Sequence, residues 1–89
     1  MLKIRPLNKF KKDLKLAQKR GNDIETLKTI ITKLSQGEPL DLKYRDHSLK
    51  GNYIDCRECH VQPDFLLVYR LTEHELQLVR LGTHSDLFR

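Results

Sequence analysis

The sequence predicts an α+β domain in the order β-α-α-β-β-β, a helical hairpin packed on a mostly antiparallel, twisted sheet. Three observations carry this expectation. Apolar side chains recur at helical spacing on both sides of Gly21. Three strand-like runs crowd the second half of the chain, separated only by His60-Val-Gln-Pro-Asp64 and Thr72-Glu-His-Glu75. The longest apolar run, Phe65 to Val68 extended by Tyr69, falls far short of the roughly 20 residues of a membrane span. Residues 1–89 are therefore expected to form a single domain with a thin core.

Each element has its own signal. Leu2 to Arg5 alternates apolar and basic residues and stops at Pro6, which suits a short strand. Leu7, Phe10, Leu14 and Ala17 then form a helical stripe with lysines on the other faces, ended by Gly21. Asn22 or Asp23 can cap a second helix, whose stripe is Ile24, Leu27, Ile30, Ile31 and Leu34; Gly37 and Pro39 end it. A link this short predicts an antiparallel helix pair. Residues 38–52 form a polar connection without periodicity, and connections of that length often carry function. Strands are expected at Tyr53–Cys59, Phe65–Leu71 and Leu76–Thr83.

The formal net charge of +5 is unevenly placed. In the first twenty residues Lys3, Arg5, Lys9, Lys11, Lys12, Lys15, Lys19 and Arg20 face Asp13 alone, a net +7 that leaves −2 for the remainder. Such a patch attracts a polyanion through counterion release, without reading sequence. A solvated, lysine-rich helix face would look the same. No apolar signal core follows the basic start, so a cytoplasmic protein is expected. Cys56 and Cys59 fall in an expected strand, where residues three apart point to opposite faces. They are expected to be reduced and structural, with no metal and no cofactor.

Hairpin geometry gathers the reactive side chains. A reversal near residues 73 and 74 sets Asp64 opposite Thr83 and His84, and a reversal near Gln62 sets His60 roughly opposite Asp64. His60, Asp64 and His84 then meet at one end of the sheet, while His74 sits at a solvated hairpin tip. Imidazole is the side chain best suited to move protons near neutral pH. Two of them beside a carboxylate fit RNA cleavage by the RNA's own 2′-hydroxyl, one removing its proton and the other protonating the departing 5′-oxygen. Arg80 shares the alternation parity of Gly82 and His84 and is a candidate phosphate contact. The same residues also fit a non-catalytic binding module, in which the histidines and Asp64 merely cap turns and the basic helix holds RNA or an acidic partner.

Longer motifs sharpen the choice. Asp46-His-Ser-Leu-Lys-Gly51, Arg57-Glu-Cys-His60, Pro63-Asp64 before an aromatic and an apolar strand ending at Tyr69, Gly82-Thr-His84 with Leu87-Phe88, and Lys15-Leu-Ala-Gln-Lys-Arg20 resemble the YafQ branch of the RelE toxin superfamily. The resemblance implies a ribosome-dependent mRNA endonuclease that cuts A-site codons and is held by a cognate protein antitoxin. It implies His47, His60, Asp64 and His84 as active-site residues and Phe88 as an RNA-positioning residue. His47 comes from the resemblance alone. Lys9, Lys11, Lys12, Lys15, Lys19 and Arg20 would grip ribosomal RNA.

Overall fold

A computed structural model describes residues 1–88. Strand β1 (Lys3–Pro6) leads into α1 (Asn8–Lys19) and α2 (Ile24–Ser35). After a 3₁₀ turn (Leu42–Tyr44) come the two-residue strand β2 (His47–Ser48) and a second 3₁₀ turn (Gly51–Tyr53). The chain ends in β3 (Arg57–Gln62), β4 (Phe65–Leu71), β5 (Glu75–Gly82) and the one-turn helix α3 (His84–Leu87). The five strands form one sheet in the order β1-β5-β4-β3-β2. Only β1 and β5 pair parallel; the other three pairings are antiparallel. The expected α+β class and element order hold, with β2 as an added edge strand.

The apolar run seen in the sequence is β4, the central strand. Phe65, Leu67 and Tyr69 face a core shared with Phe10 and Ala17 of α1 and Leu27, Ile30 and Leu34 of α2. Leu66 and Val68 face the opposite side, beneath Leu87 of α3. A strand covered on both faces loses the polar alternation that marks a half-exposed one. Asp23 caps α2 by accepting from the N–H of Thr26 at 3.0 Å.

Two expectations need correction. The third strand begins at Arg57 rather than Tyr53, because Gly51 (φ +70°) opens a 3₁₀ turn and the Cys56 N–H donates to the Tyr53 carbonyl at 2.8 Å. The hairpin between β3 and β4 closes through Pro63-Asp64 alone, so His60 pairs with Leu66, not Asp64. The cysteines are free and buried and belong to cores on opposite faces of the sheet, as expected. Burial pushes the Cys59 thiol up to about 12, which removes it from thiolate chemistry near neutral pH.

Candidate active site

The β4–β5 register pairs Leu66 with Gly82, and continuing it toward the turn brings Asp64 beside His84. The contact is direct. Asp64 Oδ1 accepts from the backbone N–H of His84 at 3.0 Å and lies 2.9 Å from its Nδ1. The backbone bond, then the ring bond, hold the Asp64 carboxyl below its usual range, so it stays ionised at neutral pH. A carboxylate only accepts, so Nδ1 carries a proton and Nε2 is the ring nitrogen left to other partners.

His84 is the first residue of α3, and the chain fixes that helix firmly. Thr83 and Asp86 form a reciprocal capping box. Arg20, at the end of α1, donates to Asp86 at 2.7 Å. Arg20, expected among the RNA-gripping cations, thus anchors the helix that carries His84. Its guanidinium, with help from the Thr83 N–H, holds the Asp86 carboxyl at about 2. A carboxyl depressed on folding stabilises the fold above its unfolded pKa, and that contribution disappears as pH falls through the folded value. Chemical denaturation of wild type and Asp86→Asn should therefore show a stability gap that is full above about pH 4 and closes toward pH 2. A gap independent of pH would disprove this role.

His60 lies on β3, opposite Leu66 and two pairs along from Glu58 and Val68. Its ring centroid is 5.8 Å from that of His84, so residues 60 and 84 share one rim of the sheet. His47 arrives from the other side. Its strand β2 pairs His47 with Glu58, and its ring lies 6.3 Å from that of His60. Its Nδ1 is 2.6 Å from the Arg45 carbonyl oxygen, which only accepts, so Nδ1 carries the proton and Nε2 is left to the site. Phe88 stands beside His84 at 6.3 Å and edge-on to Tyr53 at 5.7 Å. All five residues singled out by the resemblance converge.

Sequence reasoning missed Glu58. Its side chain is 4% exposed, with Oε1 3.3 Å from Nε2 of His60 and 3.7 Å from Nε2 of His47. Alternation with buried Cys59 placed Glu58 on the sheet's other face, but nothing in the spacing showed that this face is covered. Glu58, His60 and His84 also bring three ligand-capable atoms within 4.8 Å of one another. A carboxylate with two imidazoles is a fit donor set for zinc or copper. The fold assembles this trio from one strand, β3, and the helix α3, so no single motif of the sequence displays it.

Arg80 does point to the His60 face, pairing with Val68, but Asp13 of α1 engages its guanidinium at 2.8 and 3.3 Å. The expected phosphate contact is therefore tied to α1. Lys9, Lys11, Lys12, Lys15 and Lys19 are exposed along α1.

A sequence profile described as "Bacterial toxin of type II toxin-antitoxin system, YafQ" matches residues 2–89. The chain belongs to the YafQ toxin family. The mRNA interferase toxin YafQ of Escherichia coli is 45% identical over 80 residues, covering 89% of this chain and 87% of that protein. The E. coli toxin in a DinJ–YafQ toxin–antitoxin complex superposes with a TM-score of 0.91 at 42% identity, covering 99% of this chain and 98% of that one. A copper-bound mutant toxin from Helicobacter pylori superposes with a TM-score of 0.94 at 44% identity, covering 99% and 100%. The five-stranded mixed sheet agrees with those superpositions, and no helix among the described residues is long and apolar enough to cross a membrane.

Proposed function

We propose that the chain is a ribosome-dependent mRNA endoribonuclease, the toxin of a toxin–antitoxin pair, cutting A-site codons by metal-independent acid–base catalysis in the cytoplasm. The observation that carries this reading is the row of three imidazoles, His47, His60 and His84, with adjacent centroids 6.3 and 5.8 Å apart. The name of the E. coli relative, an mRNA interferase toxin, supports mRNA as the substrate.

In this mechanism the scissile phosphate lies over His60. His47 Nε2 removes the proton from the 2′-hydroxyl, whose oxygen attacks phosphorus. The bond to the 5′-oxygen breaks, and His84 Nε2 protonates the departing oxygen. The products are a 2′,3′-cyclic phosphate and a 5′-hydroxyl. Asp64 steadies the His84 imidazolium, and Glu58 is the acceptor that the other two rings face. Phe88, partly exposed, offers an aromatic ring on which a base can stack. The lysines of α1 hold ribosomal RNA, and the ribosome presents the codon. The DinJ–YafQ complex supports a cognate protein antitoxin here too, drawn to the same positive helix.

The test is to incubate the protein with translating ribosomes and sequence the new RNA ends. Cleavage within A-site codons, cyclic phosphate at the 3′ ends and full activity of toxin stripped with EDTA and then returned to ribosomes in Mg²⁺ buffer are expected. Preloading the toxin with Cu²⁺ should slow the reaction and stripping it again restore it, since copper on Glu58, His60 and His84 would occupy nitrogens the reaction needs. A stripped toxin that regains cleavage only when a transition metal is added back would overturn the metal-free mechanism. Absence of cleavage, with growth unaffected by expression, would leave a non-catalytic binding module.

A further inference from the structure

The cleft beginning at His60 and His84 extends well beyond them. It holds about 660 Å³ and runs to Lys43, Tyr44 and Arg45 at the first 3₁₀ turn, with Gln62 in its wall. The proton transfers use one end of this cleft and leave the other unexplained.

Arg45 marks that other end. It is the one described non-glycine residue with positive φ, at +50°, in the left-handed position that glycine or asparagine usually fills after a helical turn. Its backbone work does not require an arginine. The N–H bonds the Leu42 carbonyl at 3.0 Å and the carbonyl holds His47, and glycine would supply both at less strain. Retained strain beside an active site calls for a use of the side chain. The Arg45 side chain is exposed and makes no hydrogen bond or ion pair with another described residue. Lys43 adds a second cation, 5.2 Å over the Tyr44 ring.

Gln62 is preorganised. Its Oε1 accepts from Nδ2 of Asn22 at 3.1 Å and from the N–H of Asp23 at 3.0 Å. With the oxygen engaged twice, the amide cannot flip freely, and its NH₂ remains as a donor. Two cations and one oriented donor along a cleft are the parts that hold a single-stranded nucleotide, charge for the backbone and an amide for a base edge.

We propose that this end of the cleft is a nucleotide subsite, with Arg45 and Lys43 on the phosphate next to the one cut and the Gln62 amide donating to the adjoining base. This rests on reading the chain as a ribonuclease and names how that site grips its substrate. An acidic peptide is the other occupant the charge would admit, and the test separates the two.

The probe is a short, fluorescent, single-stranded oligonucleotide with 2′-deoxy sugars, which binds but cannot be cut. Anisotropy across a salt series should show Arg45→Gly binding about tenfold more weakly, with a log–log salt slope reduced by about 0.7, the loss of one phosphate contact. Arg45→Lys should keep the slope. Arg45→Gly should melt no lower than wild type, which separates the loss from unfolding. Gln62→Glu keeps both accepted hydrogen bonds and replaces the donor by an acceptor, so it should reorder the affinities for probes of different base. Wild-type affinity and slope in Arg45→Gly would overturn the subsite, as would no binding by wild type or preference for a polyglutamate peptide. Failure of wild type to cut mRNA on programmed ribosomes would instead strike the nuclease reading, leaving the oligonucleotide comparison to decide the subsite.

Discussion

His84→Ala is expected to lower single-turnover cleavage on programmed ribosomes by about 10²–10⁴-fold, the range for losing one positioned acid or base. The protein should stay folded, because the side chain is half exposed and α3 is held by its capping box and Arg20. Loss of rate alone would not identify the role. Only one imidazole serves the leaving oxygen, and a substrate whose 5′-oxygen is replaced by sulfur departs without a proton. Such a substrate should restore most of the rate to His84→Ala and little to His47→Ala, which still lacks a base. Rescue of both variants, or unaltered turnover in His84→Ala, would refute the assignment. The orientation of the ring supports it: Nδ1 is fixed on Asp64, which leaves Nε2 for substrate, on a helix held by its capping box and by Arg20.

Legibility followed the range of the interactions that place each group. Phe65 to Tyr69 announced a strand, and it is the centre of the sheet, buried on both faces. The pairing of Asp64 with His84 was readable because a short hairpin leaves little choice of register. His47 had no such signal. It sits on a two-residue strand whose place is set by side chains from β3 and β4. Glu58 looked like an ordinary strand carboxylate, and its burial becomes tolerable only when His60, two residues on, and His47, from another strand, both face it. The pairs Arg80–Asp13 and Arg20–Asp86 join residues 67 and 66 positions apart, beyond the reach of any periodicity. Both cations carry a structural role that the sequence could not show, for one reason: a basic residue's partner is a property of the fold.

The placement of His47 leads to the second large effect. Asp46 Oδ1 accepts from the Tyr69 hydroxyl at 2.5 Å and from Arg57 Nε at 3.2 Å. Burial, reinforced by Asp46, pushes the Tyr69 phenol above its ordinary range, so it remains a donor at neutral pH. Tyr69 belongs to the helix-side core, and strand alternation sends the next residue, His47, to the opposite face. Asp46 is therefore a positioning residue, pinning a strand too short to hold itself. Asp46→Ala leaves the Tyr69 hydroxyl without its acceptor and should cost about 1–3 kcal/mol of stability. By letting His47 drift it should also lower kcat by about 10²-fold, the scale of a misplacement near 1 Å. The two losses can be told apart in a His47→Ala background. There Asp46→Ala should cost the same stability but almost no further kcat, because the group it positions is gone. Tyr69→Phe should follow the same pattern at smaller amplitude. An equal drop in kcat in both backgrounds would mean that Asp46 reaches the reaction by a route other than His47.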